Sequence, residues 1–357
     1  MKLVSTVIFI DTSIFVSENY MWGRKLNTLS NFSKKGIIQL KITSVTYEEI
    51  KKRFVSDLKN TKTHFKQAQR KFNNEGRILK NLPEFKPYYP LPVIDIDDAF
   101  AKLVLQLDAF IAEHHIEIVD ISYSNSQDVF DQYFKKQPPF GEGQKKDEFP
   151  DAFMLSIIEG WCKAKEANVH ILSTDNDVKT YVSPTGAIIP SYDIAELIEA
   201  VVAKSEQVKF NFIDSSIIRN LYAIQDYISA NYQDNIAYMV YEELLSDAFY
   251  EDLEYEPADI KKIDIIHHSV TNIDDEDAFV EYEVEVTFKM PISYNDLSTG
   301  FYDKEDGVWW GVEYVNVENT YKAKLEFTAE YSFNVQDEYF EFEGLDNLKL
   351  IEYSEIE

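Results

Sequence analysis

GEGQKKDEFPDAFMLSIIEGW, residues 141–161, changes from polar to apolar at Pro150. Before the proline the segment is broken by glycine and carries two lysines. After it, apolar residues recur at helical spacing, namely Phe153, Met154, Ile157, Ile158 and Trp161. Proline is favoured in the first turn of a helix, because the N–H that it lacks would have no partner there. The pattern therefore predicts a helix that begins at Pro150 and places Asp151 in its first turn, at the positive end of the helix dipole.

Other acidic residues follow apolar, strand-like runs. The runs and the acids after them are Val7–Ile10 with Asp11, Leu40–Val45 with Glu48 and Glu49, and Val169–Leu172 with Asp175 and Asp177. In an open parallel sheet, residues at the carboxyl ends of neighbouring strands converge on one crevice. Crowded carboxylates repel one another, so a divalent cation is their natural partner. Ligation by oxygen alone favours Mg²⁺ or Mn²⁺.

Four segments, FIDTSIF, TSVTYEEI, KKDEFPDAFML and ILSTDNDV, occur in this order and together resemble the motifs of PIN-domain nucleases. More narrowly, they resemble a larger bacterial PIN-like subfamily with a long helical insertion and a KK-x-EFPDA motif. The resemblance covers about residues 1–204 and implies a parallel sheet sandwiched by helices. It also implies metal-dependent cleavage of phosphodiesters, in RNA more than in DNA, that leaves 5′-phosphate and 3′-hydroxyl ends.

The resemblance implies a set of four acids that bind the metal and carry out catalysis: Asp11, Glu49, Asp151 and Asp175. Glu48 stays an alternative to Glu49, although the acid of the family usually directly precedes an aliphatic residue, here Ile50. The 102 residues from Glu49 to Asp151 (151 − 49) exceed the spacing in small members of the family.

Three further residues complete the predicted site. Asp177 is expected as a second metal ligand in the loop of Asp175, and Asp147 as an outlying one. Ser13, two residues after Asp11, is expected to orient a ligand or a water molecule.

Two groups of basic residues are candidates for binding nucleic-acid phosphates. Lys145 and Lys146 precede Asp151 within residues 141–161. The second group repeats at helical spacing and consists of Lys59, Lys62, Lys66 and Arg70. It lies within residues 51–86, which hold 11 basic and 3 acidic residues. Two interpretations of this group remain open: a solvated helix face, or a surface that binds the phosphate backbone.

Charge divides the chain in two. The net charge is −28, but residues 1–204 hold 26 basic and 27 acidic residues, whereas residues 205–357 hold 9 and 36. Such an asymmetry between halves indicates separate modules. We therefore predict a PIN-like nuclease domain at 1–204 and an acidic α+β domain of unknown role at 205–357.

The predicted fold is an α/β domain with a five-stranded parallel sheet, followed by an α+β module with an antiparallel sheet. The predicted strands of the first domain are 6–11, 38–43, 116–121, 169–174 and 187–190, and a long helical stretch spans 47–82. In the second module, strict alternation of apolar and polar residues over Val280–Phe288 predicts a strand with one covered face. Partner strands are predicted at 308–317 and 321–333, and helices at 213–232 and 236–253.

The predicted function is that of a metal-dependent ribonuclease that cleaves internally and acts in the cytoplasm, with RNA or, as second choice, single-stranded DNA as its partner. One cysteine, Cys162, leaves no internal disulfide and fits a reducing compartment. No apolar run reaches the length of about 18 residues that a membrane span needs. The alternative is a non-catalytic PIN-like module that binds nucleic acid or serves as a scaffold. In that alternative the acidic C-terminal domain binds a protein partner; a homodimer through the same domain is also considered.

Overall fold

The computed structural model describes residues 2–78, 81–88, 93–140, 148–175, 178, 181, 183–245, 250–304 and 308–356. The chain divides into two compact units, Met1–Val201 and Val202–Glu357. The division lies three residues before the predicted one at 204/205. That each part folds as a domain by itself stays a prediction.

A five-stranded, all-parallel sheet forms the centre of the first unit. Its strands are β1 (Val7–Ile10), β2 (Gln39–Thr43), β3 (Glu117–Val119), β4 (Val169–Leu172) and β5 (Ile188–Ser191). They are arranged in the order β3-β2-β1-β4-β5, with every pairing parallel. The central strands read VIFI and VHIL and are almost wholly buried, as expected for strands covered on both faces. The predicted α/β fold of this part is confirmed.

Helices accompany each strand of this sheet. They are α1 (Thr12–Ser17), α2 (Arg24–Lys34), α3 (Ser44–Glu75), α4 (Ile96–Glu113), α5 (Ser126–Lys135), α6 (Phe149–Lys165) and α7 (Ile194–Ser205). The predicted helical stretch 47–82 corresponds to α3, which begins earlier and ends at Glu75. The Thr43 hydroxyl accepts from the Thr46 N–H at 3.0 Å and caps its start, and Gly76 caps its end. Within the described residues, no helix combines the length and the apolarity needed to cross a membrane.

The helix predicted to begin at Pro150 is α6, and its apolar face packs against the sheet. Met154, Ile157 and Ile158 are buried in a core that also contains Phe9 of β1. The rings of Phe9 and Trp161 meet edge to face, with centroids 5.7 Å apart. Because this packing fixes the helix along its length, the position of its first turn, with Asp151, is fixed as well.

The second unit combines three helices with an antiparallel sheet. The helices are α8 (Gln207–Arg219), α9 (Leu221–Asn231) and α10 (Gln233–Leu244). The strands of the sheet are β6 (Tyr250–Tyr255), β7 (Asp259–Ile273), β8 (Asp277–Asp296), β11 (Glu313–Asn334) and β12 (Tyr339–Ile356). Their order is β12-β11-β8, and both β6 and β7 pair with the other edge of β8. A separate hairpin consists of β9 (Phe301–Asp303) and β10 (Val308–Trp310).

Alternation of side chains explains this sheet. Every second residue of β8, from Ala278 to Ile292, is buried, and the residues between them are mostly polar and partly exposed. The predicted antiparallel α+β module is confirmed, but three details are wrong. The predicted helix 213–232 is two helices, α8 and α9, because the first ends at Arg219 and the second begins after Asn220. The predicted helix 236–253 ends at Leu244, because Tyr250 and its neighbours pair with β8 instead. The two strands predicted at 308–317 and 321–333 are not separate partners, because β11 pairs with β8 without a break from Glu313 to Ser332.

Candidate active site

Asp11 lies where β1 ends and is almost fully buried, with 5% of its surface exposed. One carboxylate oxygen accepts from the Thr12 N–H at 2.6 Å. The other accepts from the hydroxyls of Ser13 and Ser173, each at 2.7 Å. These donors come from the ends of the neighbouring strands β1 and β4, so they fix the carboxylate at the carboxyl edge of the sheet.

Glu49 lies in the second turn of α3 and reaches the same edge. Its Oε2 accepts from the Thr12 hydroxyl at 3.1 Å. Burial raises the pKa of Glu49 and the charge of Asp11 adds to the rise, while the Thr12 hydroxyl and the cations Lys52 and Arg53 oppose it. Glu48 differs from its neighbour, because its exposed carboxylate binds Lys51 at 2.8 Å. The geometry therefore brings Glu49, rather than Glu48, to Asp11.

Asp151 lies in the first turn of α6 and faces the same two acids. Burial, a hydrogen bond with Glu148, and the charges of Glu49, Asp11 and Glu148 together raise its pKa to about 8. Burial opposes ionisation because it removes water from the carboxylate, and the neighbouring negative charges oppose it because they repel the ionised group. Asp11, Glu49 and Asp151 thus influence one another across one pocket, as the strand ends predicted.

The remaining predicted acids are less closely involved or lie outside the description. Asp175 follows β4 with an exposed side chain, and its backbone N–H donates to the Ser173 hydroxyl at 3.0 Å. Asp147 and Asp177 are outside the described residues. Lys145 and Lys146 are outside them as well, so their predicted contact with phosphates stays a prediction.

Ser13 binds Asp11 directly, and its hydroxyl also accepts from the Thr174 N–H at 3.1 Å. Three residues with comparable contacts, Thr12, Glu148 and Ser173, were not predicted. Glu148 lies three residues before Asp151, a spacing that puts two side chains on one face of a helix. Spacing could have revealed Glu148, but nothing local marks Thr12 or Ser173, whose partners are distant in sequence.

The basic residues form a row that starts at the site. Lys52 and Arg53 lie about one turn beyond Glu49, close enough to lower its pKa. The predicted group, Lys59, Lys62, Lys66 and Arg70, continues along α3 with mostly exposed side chains. At a rise of 1.5 Å per residue, this group begins about 15 Å from Glu49 and ends about 32 Å from it. Whether it binds phosphates stays a prediction.

The donor set fits a hard cation. Within the described ranges, no group of three or more His, Cys, Asp or Glu residues is arranged as a ready metal-binding cluster. Burial nevertheless raises the pKa of Asp151, and repulsion by the charges of Glu49 and Asp11 adds to the rise. A divalent cation would remove this repulsion, and carboxylate oxygens are the ligands that Mg²⁺ and Mn²⁺ prefer. The residues present therefore suit the metal that the resemblance implies.

Comparison with protein-family models matches residues 8–178 to the family described as PIN domain. The matched segment contains Asp11, Glu49, Asp151 and Asp175. No curated protein and no solved structure matches the chain. The match does not test the narrower subfamily with the KK-x-EFPDA motif, which stays a prediction.

Proposed function

Because residues 8–178 match the PIN domain family, we propose that the chain is a ribonuclease that cleaves internal phosphodiester bonds with Mg²⁺ or Mn²⁺. One arrangement carries the proposal: Asp11 and Glu49 both bind Thr12, and Asp151 lies within electrostatic reach of both. Burial, a hydrogen bond with Glu148 and the charges of Glu49 and Asp11 raise the pKa of Asp151 to about 8. A fold gains no stability from gathering acids that repel one another. Carboxylates with raised pKa values in one pocket are typical of functional sites.

We propose that Asp11, Glu49 and Asp151 hold the cation and that Asp175 completes the set. Asp177 and Asp147 remain candidates for further ligands. When bound, a cation of this kind lowers the pKa of water and stabilises the leaving oxygen of the phosphodiester.

The residues around the acids orient them before substrate arrives. Ser13 and Ser173 fix one oxygen of Asp11, and the Thr12 hydroxyl holds Glu49. Such fixed geometry lowers the entropy that must be lost on reaching the transition state. Below pH 8 the carboxyl of Asp151 keeps its proton for most of the time. To hold a cation, Asp151 would have to give up this proton, because a ligand carboxylate must be ionised.

The proposed substrate is RNA, with single-stranded DNA as the second choice. Lys52 and Arg53 lie beside Glu49, and the exposed group on α3 continues away from the site, so a strand can follow this row with its phosphates. Lys145 and Lys146 are proposed to bind phosphates near Asp151. The cytoplasmic setting, and a protein partner or second copy bound by the acidic second unit, stay proposals that rest on composition.

The test is cleavage of mixed single-stranded RNA and DNA by the wild type and by Asp11→Asn, with Mn²⁺ and with Mg²⁺. We expect internal cleavage of RNA with 5′-phosphate ends, and a rate at least about 100-fold lower for the variant. Binding of RNA without cleavage by the wild type in either metal would overturn the proposal and favour the non-catalytic alternative.

A further inference from the structure

A cleft with a volume of about 470 Å³ opens beside the candidate active site. Its walls are mainly apolar and include Val45, Ile121, Phe149, Pro150 and Phe153. A volume of this order is within the range of pockets that bind small ligands. The walls come from α3, from α6 and from the short helical turn Ile121–Tyr123.

The cleft is continuous with the carboxylates. Glu49 lines it and also accepts from Thr12, next to Asp11. Pro150, in its wall, directly precedes Asp151. Lys52, which lowers the pKa of Glu49, lies on the same wall as a cation. A group that enters the cleft is therefore next to whatever the acids hold.

Packing from behind holds the aromatic wall in place. The Phe149 ring lies 5.0 Å, centroid to centroid, from the rings of both Tyr133 and Phe140. Phe153 packs against the buried cluster that contains Phe140 and Ala152. Ile121, which also lines the cleft, leaves 48% of its surface in water. When a flat group with apolar faces displaces water from an apolar cleft of this kind, the free energy of the system falls.

We propose that this cleft binds one unpaired nucleobase of the nucleic-acid strand whose phosphate lies at the acids, an inference that rests on the proposed function. A base is a flat group with apolar faces, and the sugar of a bound phosphodiester holds it near the phosphate. Its π-face suits the aromatic wall, as in other proteins that bind single strands by stacking. Lys52 lines the same cleft beside Glu48 and Glu49 and is the cation there that a phosphate can approach.

The proposal defines the class of substrate. A base in a duplex is paired and stacked, so it enters a side pocket only after it has been extruded, which costs free energy. The cleft therefore selects single-stranded segments over duplex. A side chain of a partner protein is the other occupant that suits an apolar cleft, and a probe without bases separates the two.

The experiment compares the affinity of the full-length protein for a short oligouridylate and for an abasic strand with the same number of phosphates. Binding is measured by fluorescence anisotropy in Ca²⁺, with recovery of intact strand checked by electrophoresis. The variants are Phe153→Ala, which removes part of the wall, and Ile121→Trp, which fills the cleft from its exposed side. The matched control is Phe134→Ala, an aromatic residue on α5 that is 76% exposed and does not line the cleft.

We expect the wild type and Phe134→Ala to prefer the strand with bases by roughly 10- to 100-fold, the loss expected for one stacked base. Phe153→Ala and Ile121→Trp should lose this preference while keeping their affinity for the abasic strand. Should Phe153→Ala fail to fold, Ile121→Trp decides, because it deletes no core packing.

Equal binding of both strands by the wild type, or a preference that both cleft variants retain, would overturn the inference. A parallel cleavage assay in Mn²⁺ separates it from the proposed function. Base-dependent binding that the cleft variants lose, without any cleavage, would sustain the cleft and overturn the nuclease. Cleavage together with an unchanged preference in the cleft variants would sustain the nuclease and overturn the cleft.

Discussion

Two groups of carboxylates, one in each unit of this protein, have different surroundings. On the polar face of the second unit's sheet, acids pair with lysines on the neighbouring strand. Glu283 binds Lys324 at 2.9 Å, and Glu285 binds Lys322 at 2.7 Å. In the first unit, Asp11, Glu49 and Asp151 face one another, and the pKa of Asp151 is raised to about 8.

This difference separates acids that serve solubility and register from acids that point to function. Cross-strand pairs that are partly exposed, as these are, keep both members charged, and they contribute little to stability. A buried group of like charges lowers the stability of the metal-free fold, so its presence calls for a ligand that removes the repulsion. The net charge of −28 conceals this distinction, because most of it belongs to the second part of the chain.

The largest expected effect distinguishes two adjacent acids. Glu49→Gln should lower the cleavage rate at saturating Mn²⁺ by at least about 100-fold, because it removes a carboxylate next to Asp11. Glu48→Gln should stay within about threefold of the wild type, because its exposed carboxylate binds Lys51. Steady-state rates on the same RNA give the comparison. Equal losses in both variants would contradict the assignment of Glu49.

The next effect concerns the basic group on α3. Changing Lys59, Lys62, Lys66 and Arg70 together to Glu should lower the log–log slope of RNA affinity against salt by about 3, at about 0.7 per lost phosphate contact. Affinity at several salt concentrations provides the slope. Lys163 and Lys165, exposed in the last turn of α6, serve as the control, since they lie about 20 Å along the helix from Asp151. An unchanged slope in the fourfold variant would identify a solvated face.

A smaller effect is expected on the stability of the metal-free protein. The pKa of Asp151 is about 8 in the folded protein against an ordinary value of 3.8, so the unfolded chain releases this proton first. The group's contribution to stability is therefore complete below about pH 4 and is lost as pH rises to about 8. Asp151→Asn lacks this loss. As pH rises from about 5 to 8, the melting temperature of Asp151→Asn should therefore rise relative to that of the wild type, by on the order of 5 °C.

Scanning calorimetry in a chelating buffer measures this gain. Saturating Mn²⁺ should reverse the order, because it stabilises the wild type by binding the folded state. A difference in melting temperature that is independent of pH would show that Asp151 has no raised pKa.

The smallest effect is expected from the paired acids of the second unit. Glu283→Gln and Lys324→Met, singly and together, should change the melting temperature by no more than roughly 1–2 °C, since exposed pairs contribute little. RNA cleavage should stay at the level of the wild type. If the double variant's melting temperature differed from the sum of the single changes by as much as Asp151→Asn changes it, the two groups of acids would not differ in their effect on stability.

Local signals were enough to predict much of the first unit. Pro150 and the apolar spacing after it define α6, and the apolar runs define β1 and β4, because both patterns follow from residues close in sequence. In the second unit, prediction failed where a segment's own pattern allowed more than one structure and pairing with another strand decided between them. Tyr250 and its neighbours continue a helical pattern but join β8, and β11 runs unbroken through the residues that separate the two strands predicted at 308–317 and 321–333.

The sequence by itself determined the strands and main helices of the first unit, the charge asymmetry between the two parts and the acids that follow the strands. Only the tertiary structure decided that Glu49 rather than Glu48 faces Asp11, and that Ser173 binds the same carboxylate. It alone revealed the cleft beside these acids. The reason is distance along the chain: Thr12 meets Glu49 across 37 residues, and Ser173 meets Asp11 across 162. Contacts of this kind form when helices and strands pack together, and no periodicity within either segment specifies them.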